Sequence, residues 1–264
     1  MSTVVKNQLR VCLLSVKYNI MREMLNKVTF LTNIIFMMLN NAAFLIQWAI
    51  LFRLKEDIGG YTLREVMLLW ALSASSYGLA HLLFARAFSL SDLIINGKLD
   101  SYLVQPKNVL LGIITSSTST SSIGDLLYGL VILCVFCFSF RNLVLFLLFT
   151  ITGATILTSY ALFMGSLSFW FVRADLFGNN LVNGMINFST YPDGIFKGVV
   201  KFILYLIIPT GMSIYLPIHL MQDFHWGQLF LLLGFMTLLL AIAVFSFYRG
   251  LKRYTSSNLM GART

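Results

Sequence analysis

Apolar residues in this chain come in long blocks, not in the alternation of a half-buried strand. Six blocks reach or approach the run of about 20 residues that crosses a bilayer core as helix. The first, VTFLTNIIFMMLNNAAFLIQWAILF, runs from Val28 to Phe52 and carries an Asn40–Asn41 pair that is tolerable if it faces other helices. The second, Leu63 to Ala85, is rich in small residues such as Ala71, Ser75 and Gly78, which let helix backbones approach closely. The third, Val109 to Phe138, is too long for one perpendicular span, and its polar opening ITSSTSTSSIGD belongs at an interface or along a wet groove. A fourth block covers Leu143 to Phe171. Between Gly178 and Trp226 the pattern fragments. A fifth span fits Leu181 to Tyr191–Pro192, and the next segment, DGIFKGVVKFILYLIIP, is too short and too charged at Lys197 and Lys201 to cross comfortably. Pro209, Gly211 and Pro217 then interrupt the chain as far as the last block. Irregular backbone at membrane depth must be buried in protein or wet, so short re-entrant or interfacial helices are expected over 193–226. The sixth block, Gly227 to Tyr248, ends in RGLKRY. The expected fold is an all-α polytopic membrane protein of six transmembrane helices in a single domain.

Composition narrows this picture. Of 264 residues, 58% are hydrophobic and 11% charged, against roughly a quarter charged in soluble chains. Mean hydropathy is +0.82. That balance excludes a disordered chain, a disulfide-built secreted module and a water-soluble enzyme. A net charge of +9 would suggest nucleic acid in a soluble protein; in a membrane protein it first reports orientation. With both ends inside, the inner segments hold thirteen Lys and Arg, Arg173 and Arg263 among them, and the outer ones six. The excess predicts that both termini are cytoplasmic, with no nucleic-acid partner; the expected location is the plasma membrane. The cysteines add little: Cys134 and Cys137 form a C-x-x-C inside an apolar run without further metal ligands nearby, as lipid- or core-facing thiols do. The first block comes after a long basic lead without a small-residue cleavage site, so it is expected to remain as an anchor.

Two polar segments are organised. In the lead, Val5, Leu9, Cys12, Val16 and Ile20 recur at three- or four-residue steps while Lys6, Arg10 and Lys17 fall elsewhere, which predicts a basic amphipathic helix on the inner leaflet. In the inner loop 86–108, Leu90, Leu93 and Ile94 form an apolar stripe, Gly97 offers a helix stop, and Asp100 to Val104 starts another turn before Pro106. Such a loop either packs on its own bundle or docks a cytoplasmic partner.

The stretch IINGKLDSYLVQPKN, with its pattern G-x-L-D-x-x-L-x-x-P from Gly97 to Pro106, resembles a segment of the type-2 permeases of ABC exporters. So do INFSTYPDGIFKGVVKFILYLIIPTGMSIYLP and the tail GLKRYTSSN, in the same order and spacing. The resemblance implies one transmembrane half of an exporter, paired with a second permease half, identical or different. ATP and Mg would be bound by separate cytoplasmic nucleotide-binding ATPase subunits, with no cofactor on this chain. It also implies that the loop after the second span is the coupling segment, with Leu90, Leu93, Ile94, Gly97, Lys98, Leu99, Asp100, Leu103 and Pro106 as coupling residues, and that short extracytoplasmic helices precede the last span. The cargo would be hydrophobic or amphipathic; drugs, peptides, lipids and glycans all fit.

The chain has no G-x-x-x-x-G-K-[ST], H-E-x-x-H or G-x-S-x-G, and His81, His219 and His225 lack metal-ligand spacing. Covalent chemistry is not expected of it, and His219 and His225 are expected to be solvated. Asp125 is the one acidic residue expected inside a span, where a charge costs about 2.5–3.5 kcal/mol and so faces a partner or a wet cavity. It either lines a path with Tyr128 or sits near the inner interface bonded to Ser121 or Ser122. Asn187, Phe188 and Tyr191 either line an outer part of that path or serve as belt and packing residues. A stand-alone ion-gradient-driven transporter or channel is the alternative function, and a membrane scaffold a third; the lack of a half-to-half repeat and the single intramembrane acid argue against the former.

Overall fold

The computed structural model describes residues 2–171 and 174–255, with side chains from residue 6 onward. Arg173, Arg263, the Val5 side chain and the Ser256–Asn258 end of the tail motif lie outside the described residues. All regular structure in the described part is helical. Four helices are long and apolar enough to cross a membrane: α2 (Lys27–Leu54), α3 (Leu63–Phe84), α8 (Phe140–Ser166) and α12 (Trp226–Leu251). These match the first, second, fourth and sixth blocks. α1 (Ser2–Glu23) precedes them, separated from α2 by an Asn26 cap whose side-chain oxygen accepts from the Thr29 N–H at 3.1 Å. At the start of α3, the Glu65 carboxylate accepts from the Thr62 N–H at 2.7 Å, a bond that satisfies a donor the helix itself leaves orphaned.

The third block is divided. It forms α6 (Val109–Ile114), an irregular stretch, and α7 (Ser122–Phe136). The cause is the hydroxyl run. Thr115 Oγ1 donates back to the Leu111 carbonyl and Ser116 Oγ to the Ile113 carbonyl, both at 2.7 Å, and such side-chain bonds compete with helix continuation. α9 (Ala174–Phe188) starts upstream of the expected Leu181. It ends where Ser189 and Thr190 hydroxyls donate to the Ile186 and Asn187 carbonyls, just before the helix-disfavouring Tyr191–Pro192 step. α10 (Gly198–Leu206) then meets the segment Gly211–Gln222, which includes α11 (Leu216–Gln222), at 78° across Pro209. This bent pair is a broken span or a re-entrant loop by shape.

α3 and α8 are largely enclosed by their neighbours, whereas α2 and α12 are largely bare. α7 wedges between α2 and α3 through glycines. A β-carbon on Gly129 would strike the Ala71 carbonyl and Ser75, and one on Gly124 would strike the Ile34 carbonyl. This order gives the bundle two distinct ends. One end, termed the coupling end after the expectation from sequence, holds loop 86–108, α1 and the close of α12; the other, termed the clasp end, holds the turns around Gly59 and Asp193.

Candidate functional site

A groove of about 590 Å3 opens between α2, α3, α7 and α9. α2 contributes Asn40, Asn41 and Phe44, α3 contributes Trp70, Ser73 and Tyr77, and α9 with its exit contributes Asn183, Asn187 and Tyr191. Asn183, Asn187 and Thr190 share a face because they are spaced near the helical period. Asp125 reaches the groove from the first turn of α7, where the N-terminal dipole favours an anion. The Asn41 amide donates to its Oδ1 at 2.6 Å, so Asn41 turns inward while Asn40 stays exposed. Oδ2 is buried with no partner among the described residues. Neither Ser121 nor Ser122 bonds this carboxylate among the described residues.

Of the path residues expected from sequence, the groove gathers Asp125, Asn187 and Tyr191. Tyr128 is buried one turn along α7 but does not line it. Phe188 packs instead edge-to-face on Phe196, with centroids 5.5 Å apart, and its carbonyl accepts from the Tyr215 hydroxyl at 2.7 Å. Sequence reasoning missed Trp70, Ser73 and Asn183. The i, i+4 pair Asn183–Asn187 was the one signal that could have exposed the α9 face.

At the coupling end, loop 86–108 forms α4 (Leu90–Ile95) and α5 (Asp100–Leu103). Gly97, with φ +66°, closes α4. The Lys98 N–H donates to the Leu93 carbonyl at 2.9 Å and the Gly97 N–H to the Ile94 carbonyl at 3.3 Å, the paired bonds of a Schellman stop. Leu90, Leu93, Ile94 and Leu99 are buried against Ile113, Phe169 and Phe247. Lys98 and Pro106 are exposed, Asp100 is half-buried, and Leu103 and Val104 turn outward at 40% and 84% exposure. The apolar stripe therefore anchors the loop, and the outward face lies at the end of α5, beyond the Gly97 stop. α1 rests alongside: Gln8 accepts from the Asn108 N–H and Asn19 donates to the Thr115 carbonyl, both at 3.2 Å. Cys12, Val16 and Ile20 of its stripe are half-buried, whereas Leu9 is exposed.

At the clasp end, Asp193 is buried and gathers donors from three segments. The Tyr61 hydroxyl donates to Oδ1 at 2.8 Å, Lys201 Nζ lies 3.0 Å from Oδ2, and His219 Nε2 lies 3.6 Å from Oδ1. Burial works against the Asp193 carboxylate, but hydrogen bonds from His219, Tyr61 and Lys201 outweigh it and hold its pKa below the usual range. His219, expected to be merely solvated, is thus a partner; His225 pairs with Asp223 at 3.0 Å on the surface. Lys197 stays exposed. Gly59, with φ +65°, lets its carbonyl meet Gly194 so closely that a β-carbon there would collide with it.

A family model described as ABC-2 family transporter protein matches residues 36–258. The chain belongs to the ABC-2 transporter family. It is therefore a multi-pass membrane transport component, of the ABC permease type and not itself catalytic. The resemblance seen in the three sequence motifs agrees with this ABC-2 assignment. No curated protein and no solved structure matches the chain.

Proposed function

We propose that this ABC-2 permease is one transmembrane half of an exporter that moves a hydrophobic or amphipathic substrate out of the cell. ATP is hydrolysed by separate cytoplasmic subunits, and a second permease half, identical or homologous, completes the path. The observation that carries this is the construction of loop 86–108: four buried leucine and isoleucine side chains clamp it to the bundle, while the apolar pair Leu103 and Val104 faces outward. A loop built this way transmits a push, because a force on the outward face is delivered to Phe169 on the α8–α9 connection and Phe247 on α12.

In this reading α7 and α9 complete six crossings with the four long helices, and α10 and α11 are re-entrant. The excess of Lys and Arg at the coupling end supports a cytoplasmic position for it and for both termini. Closure of ATP-bound partners pushes the coupling face and switches the paired bundles from inward- to outward-open; hydrolysis resets them.

The test has two parts. Purification of the full chain from its native membranes should bring down a nucleotide-binding chain, and inside-out vesicles should transport only with ATP. The Leu103→Asp, Val104→Asp double variant should reach the membrane normally yet lose the partner and transport. Transport driven by a proton gradient without ATP would instead establish the ion-coupled alternative.

A further inference from the structure

We propose that the groove between α2, α3, α7 and α9 binds amphiphiles bearing a positively charged amine, with Asp125 as the counter-group and aromatic rings as the walls. This rests on the export reading for its biological meaning, since the bound amphiphile would be cargo, but binding itself needs neither ATP nor a partner.

The chemistry is set by the polar atom that the groove leaves unsatisfied. Asp125 is 3% exposed, and only one of its oxygens is occupied, by Asn41. Oδ2 is buried without a partner among the described residues, and Asp125 lines the cavity. Bare buried polar atoms are costly and call for an occupant. Two occupants are excluded on simple grounds: an anion would face the carboxylate, and a purely apolar molecule would leave Oδ2 bare. An ammonium group supplies N–H donors for Oδ2 and is favoured beside aromatic rings, and Phe44, Trp70, Tyr77 and Tyr191 line the groove. Among the described residues lining the groove there is no Lys or Arg to compete for Asp125. Ala74 and Ile186 complete an apolar side for the tail, and a cavity of about 590 Å3 is of the size that takes a small organic molecule.

The experiment uses the full chain in nanodiscs, with tryptophan fluorescence quenched by 11-bromoundecylammonium. The alcohol and sulfate of the same chain length serve as neutral and anionic probes, compared at equal membrane-bound concentration. Saturable quenching by the amine is expected at about tenfold lower concentration than by the alcohol, and Trp70→Phe should remove most of it. Asp125→Asn should erase the amine's advantage without affecting the alcohol. Asn187→Asp, at an exposed position on the groove wall, should enlarge it, and this arm decides the matter if Asp125→Asn does not fold. Equal quenching by all three probes, an advantage that survives Asp125→Asn, or no gain from Asn187→Asp would overturn the proposal. Amine selectivity without a co-purifying ATPase would sink the export reading and leave this one standing; ATP-driven transport without amine selectivity would do the reverse.

Discussion

The two ends of the bundle are fastened by different physics. At the coupling end the joint is apolar: Leu90, Leu93, Ile94 and Leu99 fill spaces between Ile113, Phe169 and Phe247. At the clasp end it is polar, with one buried carboxylate drawing together the α2–α3 loop, α10 and α11, and a Glu65–Gln222 bond of 2.9 Å beside it. Apolar contacts are non-directional, so their energy changes gradually when neighbours slide. Hydrogen bonds to a charge are directional and are either made or lost. The difference teaches where movement is cheap: the apolar joint between loop 86–108 and Phe169 and Phe247 can slide without breaking a bond to a charge, whereas separating the segments around Asp193 breaks one.

Four measurements break or sharpen that contrast. The largest effect is expected from Leu99→Ala, which empties a fully buried site at the coupling end and should cost about 2–5 kcal/mol, read as a lowered melting temperature in nanodiscs. Asp193→Asn keeps the shape of the clasp but removes its charge, and should cost about 1–3 kcal/mol in the same assay. A larger loss there than for Leu99→Ala would reverse the ranking of the two ends. The third measurement is pH. Because folding lowers the proton affinity of Asp193, its stabilisation is complete above its unfolded value of about 4 and disappears as pH falls through the still lower folded value. The melting-temperature gap between the native chain and Asp193→Asn should therefore hold from neutral pH down to about 4 and close below it; a gap that stays constant into strong acid would refute the clasp's electrostatic character. The smallest effect belongs to Val104→Asp, an outward-facing site where stability should change by no more than about 0.5 kcal/mol even though partner capture is expected to fail.

The long helices were legible because each is a local property: an apolar run of sufficient length reports itself. The hydroxyl-rich stretch before Asp125 was recognised as polar, but its division into α6 and α7 depends on where each Ser and Thr side chain bonds, which the pattern does not encode. Loop 86–108 was legible as an organised segment with Gly97 as a helix stop, yet Leu93 and Leu99 read equally well as anchors or as contact residues. Only the packing of Phe169 and Phe247 from distant helices decides that they are anchors. The clasp was the least legible part. Lys201 looked like a stray charge near the membrane because its partner, Asp193, is itself held by Tyr61, 132 positions away. Asp125 was visible as an isolated acid, but its Asn41 partner lies 84 positions off, and no local rule links them.

In the six-crossing reading proposed above, the brevity of α7 matters to the bilayer itself. Its 15 residues span about 22 Å of rise against about 30 Å of hydrocarbon, a shortfall of roughly 8 Å that tilting cannot make up, since tilt shortens the reach further. The hydroxyl-rich start of the helix lies within one turn of Asp125. In that reading, thinned lipid or water meeting the Ser and Thr hydroxyls would lower the membrane barrier there. A proton or a polar head group approaching Asp125 from the coupling end would thus cross much less oil than the four long helices imply.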